Sequence, residues 1–118
     1  MRILVGVDGS GQGRQALEEA LEDASEPDAS LTVALYGPDD EAAVEKWVRD
    51  RLATAGVEVT IREFEGDPGG RLVELAETEG FDRIVLPGGT RSPLGKIQFD
   101  RATEFVLMNA HTSVTLAR

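Results

Sequence analysis

The chain has 118 residues, no cysteine, 22 Asp and Glu against 12 Lys and Arg, and a formal charge of −10. That length suits a single domain, residues 1–118, with a core large enough to be stable without staples, and the lack of cysteine excludes a disulfide framework or a thiolate metal centre. Leu, Ile, Val and Phe make up 31 residues, too many for a disordered acidic tail, while the longest apolar run is four residues, far short of a membrane span.

Ile3, Leu4, Val5 and Val7 form a short apolar run, the pattern of a strand buried on both faces, and the turn cluster Asp8-Gly9-Ser10-Gly11 closes it. Leu17, Ala20, Leu21 and Ala24 then recur at helical spacing among Glu18, Glu19, Glu22 and Asp23, and Pro27 stops that helix. Leu31 to Tyr36 predicts a second strand, closed by Gly37-Pro38. Val44, Trp47, Val48, Leu52 and Ala55 mark a second amphipathic helix, with Gly56 as its C-terminal cap. Val57, Val59 and Ile61 alternate with Glu58, Thr60 and Arg62, which predicts an edge strand with one wet face.

Asp67-Pro68 reads as an N-cap followed by proline at the first helical position, and Leu72, Leu75 and Ala76 carry the third helix to Gly80. Arg83 to Leu86 predicts a fourth buried strand, followed by a loop from Pro87 to Gln98. Phe99-Asp100 opens a fourth helix, with Ala102, Phe105, Val106 and Asn109 on one side, and Val114 and Leu116 lie in a short last strand. Strands alternating with helices imply an α/β fold with a parallel sheet, right-handed crossovers and helices on both faces.

Ten of the twelve basic residues are Arg; Lys46 and Lys96 are the only lysines. The net charge repels DNA, RNA and anionic membranes, so neither nucleic acid nor a membrane is an expected partner. Solubility alone explains the acidity; adaptation to a salty cytoplasm, where self-repulsion is screened, explains it more specifically. The start Met1 to Asp8 has no long apolar stretch or small-residue cleavage site, so the expected location is cytoplasmic.

Several chemistries find no support. Gly89 and Gly95-Lys96 have five residues between them where a P-loop has four, and Ile97 follows, which does not satisfy a P-loop, and Gly9, Gly11 and Gly13 do not fit a dinucleotide fingerprint because Arg14 takes the last glycine's place. The single histidine, His111, stands in the turn before the last strand and reads as a surface residue. Acidic pairs such as Glu18-Glu19 and Asp39-Asp40 fit helix starts and solvated faces better than carboxylate catalysis. What remains is a crevice. Open parallel sheets bind ligands beyond the strand C-termini where the strand order reverses. If the first and fourth strands are neighbours, Asp8-Gly9-Ser10 and Pro87-Gly88-Gly89-Thr90-Arg91 open into one cleft. Arg91, Lys96 and Arg101 against Asp100 leave a local charge of +2 there, which fits either an anion site or pairing with acidic neighbours.

Ile3-Leu4-Val5-Gly6-Val7-Asp8-Gly9-Ser10, then Ala16-Leu17-Glu18-Glu19-Ala20, resembles the opening of the universal stress protein family. Gly66-Asp67-Pro68, Arg83-Ile84-Val85-Leu86 before a glycine-rich loop, Thr103 to Leu107 and Val114 to Arg118 are similar to its later segments, with the match thinnest from Gly37 to Val44. The resemblance implies an open five-stranded parallel sheet of order 3-2-1-4-5, Rossmann-like and similar to the adenine nucleotide alpha hydrolases. It also implies homodimers paired through the last strand, here Ser113, Val114, Thr115 and Leu116. Many members bind ATP with the aspartate matched by Asp8 and a loop of pattern G-x2-G-x9-G-[ST]. Counted back from the closing helix without gaps, the third glycine and its Ser or Thr fall on Asp100 and Arg101, and the first two glycines on Pro87 and Thr90. A shift of one residue brings the first glycine onto Gly88 but does not rescue Asp100 and Arg101.

The residues that would contact a ligand in the cleft are Asp8, Gly9, Ser10, Val33, Gly88, Gly89, Thr90, Arg91 and Arg101. No catalytic residue, metal site or cofactor is expected. The leading expectation is a binding or regulatory module that does not hold ATP. An adenine-nucleotide binder with slow hydrolysis is the alternative, and a dimerisation domain read by a partner protein is a third.

Overall fold

The computed structural model describes residues 1–8, 11–36, 41–57, 59–64, 66–91 and 93–117, and of residues 11, 12, 41, 90 and 91 the backbone alone. The expected turns at Gly9-Ser10 and Gly37-Pro38, the pair Asp39-Asp40, Glu58 and the terminal Arg118 lie outside the described residues. The elements run β1 (Arg2–Val7), α1 (Gly11–Asp23), β2 (Ser30–Leu35), α2 (Glu41–Ala55), β3 (Val59–Glu63), α3 (Pro68–Thr78), β4 (Arg83–Pro87), β5 (Thr90–Arg91), β6 (Ile97–Gln98), α4 (Arg101–Asn109) and β7 (Ser113–Ala117).

Five strands form one parallel sheet in the order β3-β2-β1-β4-β7. Counting the parallel strands alone, this is the expected 3-2-1-4-5. The order reverses at β1, which pairs with β2 on one side and β4 on the other; Val5 stands opposite both Val33 and Val85. The alternation of each strand splits the core into two layers. Ile3, Val5, Val7, Leu31, Val33, Leu35 and Val85 pack under α1 and α2 with Leu17, Leu21, Val48 and Leu52. Leu4, Ala34, Tyr36, Ile84 and Leu86 pack on the other side with Leu72, Leu75, Ala102 and Val106 of α3 and α4. The large aliphatic residues among them are close to fully buried, each contributing about 1.5–3 kcal/mol of apolar transfer.

Local signals account for the helix ends. Gly56 takes φ +67° and its N–H bonds Leu52 O at 3.1 Å, a left-handed stop for α2. Asp67 caps α3, accepting from Gly70 N–H at 3.3 Å, with Pro68 in the first turn. Between α1 and α2, Arg51 grips Glu18 through two bonds of 2.6 and 2.7 Å, and the Arg14 guanidinium lies 4.7 Å from the Trp47 ring centre. The Arg51 hydrogen bond holds the Glu18 carboxyl below the usual carboxylate range. Arg83 reaches back to Asp23 at 2.8 Å and ties the start of β4 to the end of α1.

Two expectations need correction. The segment from Pro87 to Gln98 is not a plain loop. Thr90–Arg91 and Ile97–Gln98 pair antiparallel as a small ribbon, and Gly89 (φ +84°) and Gly95 (φ +82°) make the bends that fold it back. The buried face of α4 is Ala102, Thr103 and Val106. Phe105 is 38% exposed and Asn109 exposed. Phe105 is turned toward α3, where Gly69 lets its Cβ approach to 2.8 Å from where a Cβ on that glycine would stand.

Candidate functional site

The reversal of strand order places the C-terminal ends of β1 and β4 side by side, and α4 begins over the same end of the sheet. Asp8 leaves β1 partly exposed; Pro87, Gly88 and Gly89 leave β4; Asp100 begins α4. Asp100 is the N-cap, and its Oδ1 accepts the Thr103 N–H at 2.6 Å. One of the free donors of the first helical turn is thereby satisfied by the chain itself.

The two glycines after β4 are engaged differently. Gly88 is buried and its N–H donates to Ala117 O at 2.7 Å, extending the pairing of β4 with β7. Gly89 presses on the ribbon: a Cβ on it would stand 2.6 Å from Gln98 O. Pro87 has no N–H to offer. Gly88 therefore serves strand pairing and Gly89 close packing.

Tyr36 is the residue that sequence reasoning missed. It follows β2, is 5% exposed, and lays its ring across Gly6 of β1. A Cβ on Gly6 would stand 2.8 Å from Tyr36 Cε1, 3.5 Å from its hydroxyl oxygen and 2.7 Å from Leu86 Cδ2. A glycine inside an apolar strand signals such close approach, and Gly6 was legible in that sense. Burial is the first cause that pushes the Tyr36 phenol well above its usual range; the charges of Asp100 and then Asp8 add to it, and the nearby Thr103 hydroxyl works the other way. Neither the Tyr36 hydroxyl nor the fully buried Thr103 hydroxyl is in hydrogen-bonding geometry with a described group.

The remaining expected residues divide. Arg101 is exposed in the first turn of α4. Val33 does not reach the cleft: it is fully buried in mid-β2, between Val5 and Ile61, facing α1 and α2. Gly9 and Ser10 lie outside the described residues, and Thr90 and Arg91 are described by backbone only, as the first strand of the ribbon. His111 is exposed in its turn. A shallow groove of about 740 Å³ opens at the opposite end of the sheet, between the ends of α1 and α2, with Glu18, Glu22 and Glu26 on its wall. It is crossed by the Arg51–Glu18 pair, and the topological rule for open sheets favours the switch point as the site. No helix among the described residues is long and apolar enough to cross a membrane.

An open parallel α/β sheet whose strand order reverses at β1 defines a Rossmann-like fold. The sequence profile of the universal stress protein family matches residues 1–118, and the chain belongs to that family. Among solved structures, the universal stress protein UspA from Lactobacillus plantarum is 20% identical and superposes with a TM-score of 0.82, covering 100% of this chain and 97% of that one. A universal stress protein from Archaeoglobus fulgidus is 22% identical with a TM-score of 0.80, covering 100% and 98%. A universal stress protein solved in complex with cAMP is 27% identical with a TM-score of 0.78, covering 100% and 96%. No curated protein matches the chain significantly in sequence.

Proposed function

We propose that the chain is a binding or regulatory protein of the universal stress type, without catalytic activity, whose cleft does not hold ATP. The observation that carries this reading is the state of the phosphate end of the cleft. Asp100 occupies a donor at the start of α4, and Gly88 gives its amide to Ala117. A phosphate cradle works through free amides at a helix N-terminus. Here a carboxylate stands in that place. At about 4 Å it repels each unit of phosphate charge by about 1 kcal/mol in water and about 4 kcal/mol at an effective dielectric of 20; Asp100 is exposed, so the lower part of that range applies. Purified protein examined by absorbance and mass spectrometry is expected to carry no nucleotide. Exchanging Asp100→Gly together with Arg101→Ser is expected to raise ATP affinity; unchanged or weaker binding would contradict the reading.

A second reading, an adenine-nucleotide binder using the same cleft, is favoured by the relative solved with cAMP. Nucleotide co-purifying with the wild-type chain would establish it. The third, a dimerisation domain recognised by a partner protein, shares with the first the expected homodimer. Its support is that β7 lies at the edge of the sheet, with Ser113 exposed and Val114, Thr115 and Leu116 half-buried. Pairing with the same strand of a second copy about a two-fold axis would cover this edge. A monomeric mass by light scattering at high salt and micromolar concentration would refute the dimer. The cytoplasmic, salt-adapted setting belongs to the same proposal and rests on the net charge of −10.

A further inference from the structure

The crevice at the switch point is filled by a side chain of the protein itself. The Tyr36 N–H donates to Val7 O at 3.2 Å, which carries the β1–β2 ladder one residue beyond Val7 and Leu35 and stands Tyr36 beside Asp8 at the end of the sheet. Its ring turns into the layer of α3 and α4 and crosses β1 over Gly6. From the place of a Cβ on Gly6, Tyr36 Cε1 lies at 2.8 Å and Leu86 Cδ2 at 2.7 Å, so the ring reaches across β1 toward the side chain of β4. Ala102 and Val106 of α4 pack in the same cluster.

These contacts lie where the carboxyl ends of β1 and β4 meet the start of α4. Open parallel sheets take their ligands at that junction. A seat for a planar ligand needs apolar walls close enough to hold both faces of a ring. Gly6 and Leu86 supply such walls from the sheet, Ala102 and Val106 from α4, and the ring in this layer is that of Tyr36. Glycine weakens a strand and marks close approach, and at Gly6 the group that approaches is this ring. With Tyr36 buried, the seat is closed to any other ring.

We propose that Tyr36 decides what the crevice admits: its ring occupies the seat of a planar heteroaromatic ligand at the β1–β4 junction, so the wild-type chain excludes nucleosides as well as nucleotides, and removing the ring admits them. The proposal rests on the functional reading above for the place of the cleft and adds a second barrier to it. The two barriers fail separately. Phosphate exclusion depends on Asp100 at the start of α4, whereas a nucleoside carries no phosphate for that carboxylate to repel.

Adenosine is therefore the probe, titrated in molar KCl and followed by saturation-transfer NMR. Wild type and Tyr36→Phe, which both keep the ring, are expected to show no saturable binding. Tyr36→Ala should bind adenosine at least about tenfold more tightly than wild type. Tyr36→Val, with an apolar side chain suited to an extended segment, should behave in the same way and serves as the second variant if the alanine chain loses its native circular dichroism. Leu72→Ala is the control, because it empties a fully buried position of the same layer on α3 and opens a closed cavity. It should not bind adenosine. Three results would overturn the proposal: wild type binding adenosine as tightly as the truncated variants, a truncated variant with native circular dichroism that does not bind, or Leu72→Ala binding as well as Tyr36→Ala.

Discussion

Gly6→Ala tests how tightly the cleft is built. The added Cβ would stand 2.7 Å from Leu86 Cδ2 and 2.8 Å from Tyr36 Cε1. Carbon atoms rest at about 3.5–4.0 Å, so each neighbour must retreat by about 1 Å. Neither can do so freely, because Leu86 is fully buried and Tyr36 is 5% exposed. Overpacking of this kind costs about 1–3 kcal/mol, and two constrained neighbours place the cost in the upper half. Gly6 does not need a positive φ, so alanine also restricts the unfolded chain and returns about 0.4–1 kcal/mol. The net expectation is a loss of about 2 kcal/mol, which lowers Tm by about 8 °C in a domain of this size. Urea unfolding followed by circular dichroism measures it. In a double-mutant cycle with Tyr36→Ala, which vacates the space, the two losses should couple by about 1 kcal/mol or more. A loss below about 0.5 kcal/mol, or full additivity with Tyr36→Ala, would refute the packing argument.

Asp100→Ala should cost about 1 kcal/mol, because it frees the Thr103 amide from its 2.6 Å cap, and chemical denaturation showing no loss would contradict that role. The Tyr36 phenol is raised above its ordinary value of 10.0, so the folded chain keeps a proton that the unfolded chain releases. That contribution is complete below about pH 10 and is lost as pH rises above it, by up to about 1.4 kcal/mol per unit. Tyr36→Phe should flatten this part of the stability curve; equal slopes for both proteins between about pH 9 and 11 would contradict it. With a net charge of −10, stability should keep rising in KCl beyond about 0.2 M, and an optimum below that concentration would sink the reading of salt adaptation.

The periodic parts of the chain were the legible ones. The unbroken apolar runs of β1 and β4 marked central strands, and the alternation at Val59 and Ile61 marked an edge, as the sheet order confirms. Asp67-Pro68, Gly56 and Asp100 announced helix ends through residue chemistry that needs no tertiary partner. What stayed hidden depends on contacts between distant segments. The ribbon of β5 and β6 is too short for any periodicity to show. Phe105 follows the apolar pattern of α4 yet leans on Gly69 of α3, which no local rule foresees. Val33 belongs to the core because of its pleat direction, whereas Tyr36, three residues later, faces the other layer and reaches the cleft. No local signal marks Thr103, and only the docking of α4 on the sheet buries its hydroxyl beside Tyr36.

The central claim is that the start of α4 has no seat for phosphate. Titration calorimetry of the wild-type chain with Mg-ATP, in molar KCl, tests it most directly. The expected result is no heat of binding, or a dissociation constant well above about 10 μM, which corresponds to about −7 kcal/mol. A constant below that value would contradict the account, since it would mean that phosphate binds with Asp100 capping α4 and the Gly88 amide held by β7.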